Sequence, residues 1–164
     1  MSKEMRDIES LWRQQMFEVV SEVLENTAFT EVHEAQKETP HGGDLRGVSL
    51  LIHEPVQGEL LLFMEEKLLT KLSTLVYGLE ESAVAPEIEK DLLAELLNTI
   101  AGRFLAAILP PEEGFLLGVP NQESAPLSCP APPCLQWNFT IEGRFMALIL
   151  HGKSIMCAIP GSTE

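Results

Sequence analysis

The stretch Asp91-Leu-Leu-Ala-Glu95-Leu-Leu-Asn98-Thr-Ile-Ala-Gly102 constrains the fold of this chain more than any other. Its apolar residues recur at helical spacing, so it belongs inside a helix that buries one side. At about 100° per residue, Leu93, Leu96, Leu97, Ile100, Ala101, Phe104 and Ile108 take the core-facing arc. Asp91, Glu95, Asn98 and Gly102 fall on one narrow stripe of the opposite side. Asn is a mediocre helix former, and a mid-helix Gly costs about 1 kcal/mol relative to Ala. Two weak choices on an otherwise strong helix suggest a surface shaped for contact. Gly102 would let another backbone come close, either a partner's or that of a helix in the same domain.

The remaining elements follow from periodicity and punctuation. Glu4–Glu25 reads as an amphipathic helix with Ile8, Leu11, Trp12, Met16, Val19, Val20, Val23 and Leu24 on its apolar side. Thr39–Asp44 is a Gly-containing loop. Gly47–His53 and Gly58–Met64 are short apolar runs separated by Glu54-Pro-Val-Gln, a hairpin pattern. Glu65–Val76 reads as a helix closed by Gly78. After the acidic linker Glu80–Ala85, Pro86 opens the long helix, with Glu87 and Glu89 placed to suit its dipole, and Pro110-Pro111 ends it. Phe115–Val119 is a candidate strand. Pro120–Cys134, with five prolines, reads as an extended loop. Leu135–Ile141 and Arg144–His151 form a second hairpin about Glu142-Gly143, Ser154–Ile159 a short edge strand and Gly161–Glu164 a tail. This order predicts an α+β fold: a mostly antiparallel sheet with long helices packed on one face, in a single domain over residues 1–160.

Composition narrows the function classes. The chain has 164 residues, enough for one domain with a sizeable core, and 45% apolar with 22% charged residues is ordinary for a soluble protein. No run of 18 apolar residues and no signal-peptide pattern is visible, so a cytoplasmic location is expected. A net charge of −14 without a basic patch argues against nucleic acid and anionic membranes. His33, His41, His53 and His151 are scattered and no C-x-x-C occurs, so no metal site is expected. Cys129, Cys134 and Cys157 are expected to be free thiols. No G-x-S-x-G nucleophile elbow or G-x-G-x-x-G loop is present. Gly152-Lys153-Ser154 matches the end of a P-loop, but Ala147 stands where that motif needs its first glycine.

Taken as a whole, Asp91–Gly102 resembles the signature of the CheC/CheX/FliY group of chemotaxis phosphatases, an E-x-x-N on a long exposed helix with a small residue one turn later. Val23-Leu-Glu-Asn-Thr-Ala-Phe29 and the pair Val48–His53 and Glu59–Phe63, followed by a helix ending at Tyr77-Gly78, are similar to single-domain CheX-type proteins. CheC-type members carry two copies of the motif. Here Glu22-Val-Leu-Glu25-Asn26 has Glu where the amide belongs, so one site remains, as in CheX.

The resemblance implies a phosphatase acting on the aspartyl phosphate of a CheY-like receiver domain. Asn98 would orient the attacking water, since an amide both donates and accepts without titrating. Glu95 would pair with the receiver's lysine. Gly102 and Asp91 would belong to the partner-binding face. The chain would need no cofactor of its own, Mg²⁺ being expected in the receiver. CheX-like pairing through the sheet implies a homodimer, and the apolar strand Phe145–Leu150 has no Lys or Pro to protect an edge. That edge would either pair with a second copy or be covered by Pro120–Cys134. The alternative is a non-catalytic module that binds a receiver or a flagellar motor component, as FliM-like relatives do.

Overall fold

The structure, a computed structural model, describes residues 3–35, 44–123, 127 and 133–157. The chain runs α1 (Lys3–Ala28), β1 (Val32–Glu34), β2 (Leu45–Glu54), β3 (Gly58–Glu65), α2 (Glu66–Tyr77) and a 3₁₀ turn (Glu81–Ala83). Then come α3 (Pro86–Ile108), β4 (Leu116–Leu117), β5 (Asn121–Glu123), β6 (Cys134–Ile141), β7 (Arg144–His151) and α4 (Lys153–Cys157). Among the described residues, one antiparallel sheet has the order β1-β6-β7-β3-β2-β4, with β5 also paired to β2. This is the expected α+β architecture.

The two-residue alternation of the strands decides which face the helices cover. Leu135, Trp137, Phe139 and Ile141 of β6 point to the same core as Val48, Leu50 and Ile52 of β2 and Met146, Leu148 and Leu150 of β7. α1 lays Trp12, Met16, Val20 and Leu24 on that face, and α3 lays Leu93, Leu97, Ile100 and Phe104. Phe104 meets Trp12 and Trp137 edge-on, with ring centroids 6.0 Å and 6.1 Å away, so one side chain joins both long helices to β6. The middle strands are buried on both faces: Leu61, Phe63 and Ile149 form a second cluster on the far side, with Leu127 and Cys134 packed against it. Double burial is why β3 and β7 read as continuous apolar runs rather than alternating ones.

Local punctuation holds where it was expected. Gly78 ends α2 in the left-handed conformation (φ 65°, ψ 33°) and donates its N–H to Thr74 O. Glu142 and Gly143 both take positive φ, 53° and 71°, between paired Ile141 and Arg144, as a two-residue hairpin turn requires.

Several expectations are corrected. β7 lies between β6 and β3 and is paired on both sides, so the C-terminal hairpin offers no edge through Phe145–Leu150. Among the described residues the sheet ends instead at β1 and at β4, two strands too short to alternate visibly in sequence. The segment from Lys153 is helix α4, not an edge strand: Gly152 turns the chain at φ 129° and Ile155 N–H donates to Gln57 O, seating the segment on the β2–β3 hairpin. Phe115–Val119 contributes only Leu116–Leu117, and the start of the proline-rich stretch forms β5. Leu11 is 51% exposed, outside the core. Cys134 is disulfide-bonded, against the expectation of free thiols. The loop at 39–43, His41, Cys129, most of 124–132 and the tail 161–164 lie outside the described residues.

Candidate functional site

α3 is set by its ends and by its buried side. Pro86 occupies its first turn with Glu87 and Glu89, and Thr70 of α2 donates its hydroxyl to Glu89 at 3.1 Å, fixing the start of α3 against α2. Leu92, Leu93, Leu96, Leu97, Ile100, Ala101, Phe104 and Leu105 are buried. The sequence reading omitted Leu92 and Leu105 and placed Ile108, which is half-buried, in the core. Near the other end, Arg103 reaches Glu22 of α1 at 3.3 Å.

The stripe that remains faces outward. Asp91, Glu95 and Asn98 are exposed and Gly102 is half-buried. Glu95 and Asn98 are separated by about 4.5 Å of helix rise and lie on the same side. Among the described residues, no side-chain hydrogen bond or ion pair engages Asp91, Glu95 or Asn98. A Cβ placed on Gly102 would meet nothing within 4 Å. The glycine is therefore not needed for packing against any of the described residues, which favours the reading in which a partner approaches it. An amide and a carboxylate on a rigid helix, with clear space beside them, can engage a partner's polar groups without first breaking contacts of their own.

A cavity of about 770 Å³ opens elsewhere, between α2 and the β6–β7 turn. Three ion pairs hold five of its charged lining residues: Glu66 with Arg46 at 3.1 Å, Lys71 with Glu142 at 2.9 Å and Arg144 with Glu65 at 3.9 Å. The buried Glu65 also accepts the N–H of Phe145. These partners come from distant parts of the sequence, so no local pattern could have shown them. Of the histidines, His151 lies 3.3 Å from Glu59 and His33 lies 3.9 Å from Glu31. Among the described residues, no group of three His, Cys, Asp or Glu side chains is placed to hold a metal ion. No helix among them is long and apolar enough to cross a membrane.

No protein-family model matches the sequence, and no curated protein matches it. Solved structures do. The chemotaxis protein CheX from Vibrio vulnificus matches at 14% identity and TM-score 0.66, over 85% of this chain and 97% of that one. CheX from Borrelia burgdorferi, solved in complex with CheY, BeF3 and Mg²⁺, matches at 18% identity and TM-score 0.61, over 84% of this chain and 94% of that one. FliM from H. pylori, solved in complex with SpeE, matches at 16% identity and TM-score 0.67, over 99% of this chain and 97% of that one. CheC-like and FliY structures match as well. At such identities the likeness establishes the fold: this chain has the fold of the CheC, CheX and FliY chemotaxis proteins.

Proposed function

We propose that this chain accelerates hydrolysis of the aspartyl phosphate of a CheY-like receiver domain. The observation that carries the reading is the pair Glu95 and Asn98: exposed, one turn apart and without side-chain partners among the described residues, on the long helix of a fold that in Borrelia burgdorferi was solved with CheY. BeF3 in that complex stands in for the phosphoryl group.

An acyl phosphate is already activated, so the task is chiefly to hold a water in line and to neutralise charge on the phosphoryl oxygens. The Asn98 amide accepts a hydrogen bond from the water and donates to a phosphoryl oxygen, aiming the water at phosphorus. The P–O bond to the aspartyl carboxylate breaks, the water oxygen bonds to phosphorus, and its proton leaves with inorganic phosphate. Glu95 pairs with the receiver's lysine and fixes the register. Asp91 extends the docking face, and the clear space at Gly102 admits a receiver loop. Mg²⁺ belongs to the receiver, which neutralises charge with it; this chain contributes no cofactor and acts in the cytoplasm with its substrate.

The test charges a CheY-like receiver from the same organism with acetyl phosphate and follows loss of the phosphoryl group. Faster loss with this chain present supports the enzyme. Binding without acceleration supports the second reading, a non-catalytic receiver- or motor-binding module, on a fold that FliM shares. Self-association is proposed as well. With β7 inside the sheet, it would use the β4 edge, where Leu51, Leu116 and Val119 are exposed. Sedimentation equilibrium at micromolar concentration checks it, and a monomer throughout would reject it.

A further inference from the structure

Away from α3, three unusual features meet at the end of α1. A cavity of about 550 Å³ opens there between α1 and β1. At its rim, Phe29 is 87% exposed and holds φ 55°, the left-handed conformation that Gly78 supplies at the end of α2. A phenylalanine there strains the backbone and gives up apolar burial, a combination found where function requires it. In the wall, the hydroxyls of Ser21 and Thr30 are sealed from water and lack a hydrogen-bond partner among the described residues, although Thr30 is only 3% exposed. Both residues line the cavity, so a polar group that enters it comes beside the two hydroxyls. Phe17, stacked on Phe139, forms an apolar side, and the exposed carboxylates Glu25 and Glu31 stand at the mouth, Glu31 with His33 at 3.9 Å.

β1 supplies a main-chain edge beside this cavity. Among the described residues it is the last strand of the sheet. Ala35 N–H donates to Asn138 O, and Val32 stands opposite Ile141. By antiparallel alternation, the N–H and C=O groups of Val32 and Glu34 therefore point away from β6. A helix beside an open strand edge, with a pocket between them, suits an added strand better than a compact ligand: main-chain bonds hold it and the pocket selects a side chain.

We propose that this groove docks an extended segment of a partner protein. The segment adds a strand to β1, lays an apolar side chain between Phe17 and Phe29, and sets an Arg or Lys between Glu25 and Glu31. The carboxylates at the mouth and the net charge of −14 decide for a basic segment. The site uses no residue of the Glu95–Asn98 stripe and stands independently of the phosphatase reading.

The probe is fluorescein-labelled acetyl-Val-Arg-Val-Lys-Val amide, compared with its charge-reversed counterpart acetyl-Val-Glu-Val-Asp-Val amide. Anisotropy should report binding of the basic peptide only, and amide NMR shifts should map to Phe29 through Glu34. Phe29→Gly should raise the melting temperature, because glycine accepts the left-handed cap, yet lower peptide affinity by about tenfold or more. The double variant Glu25→Gln with Glu31→Gln should lose a similar factor. The same charge change at Glu81 and Glu87, on other elements, should leave affinity unchanged. The proposal is overturned by absence of binding, by shifts that map elsewhere, by wild-type affinity in Phe29→Gly, or by equal losses in the two double variants.

Discussion

The cleft beside α2 and the outer stripe of α3 are both rich in carboxylates, yet they use them in opposite ways. In the cleft, Glu65, Glu66 and Glu142 each have a cation from another element, and Glu65 also holds the N–H of Phe145. On α3, Asp91 and Glu95 have no such partner among the described residues, nor does Asn98 between them and Gly102. A polar group whose partner lies inside the chain contributes to the fold and has little left to offer a second molecule. One held on a rigid helix without a partner costs little to engage from outside. The difference separates a charged cleft that braces the sheet from a face fit for contact, although the cleft is the more enclosed of the two.

Four variants would break or sharpen that contrast. The largest effect is expected at Asn98: Asn98→Ala should slow receiver dephosphorylation by about tenfold to a thousandfold without lowering the melting temperature, since Ala is the better helix former. An alanine variant as fast as wild type would remove Asn98 from the chemistry. Glu95→Lys should next weaken docking to a receiver held active by beryllofluoride, by at least about tenfold, because two cations would then oppose each other. Unchanged affinity would take Glu95 out of the interface. Glu65→Ala should do the reverse of both. Removing the acceptor leaves the buried Phe145 N–H without its carboxylate, so denaturant unfolding should register a loss of about 1–3 kcal/mol, with the dephosphorylation rate per folded molecule intact. A fall in rate without a fall in stability would place function in the cleft. The smallest effect belongs to Gly102→Ala, which should stabilise α3 by about 1 kcal/mol, since the added Cβ meets nothing. If the glycine keeps room for a receiver loop, the same variant should bind the activated receiver less well; equal binding would reduce Gly102 to an accident of the helix.

Much of this was legible from residues alone, for local reasons. The 3.6-residue spacing of Leu93, Leu96, Leu97 and Ile100 set the buried side of α3, and with it which way Glu95 and Asn98 face. Pro86, Gly78 and Glu142-Gly143 acted where they stand, because each fixes a backbone conformation within one turn of itself. Tertiary structure decided what depends on distant partners. Nothing around Phe145–Leu150 could tell an edge strand from a central one, since both read as an apolar run until β3 and β6 are in place on either side. β1 was missed because three residues cannot display a period, and its pairing with β6 is set by the path of the chain. Glu65 looked like any carboxylate at a helix start, and only the return of β7 gave it the Phe145 N–H. The strained Phe29 was visible as a residue but not as a conformation, because its backbone angle follows from how α1 must turn to feed β1. Periodicity and turn chemistry act within a few residues and can be read directly; strand neighbours, buried ion pairs and grooves join segments that only the folded chain brings together.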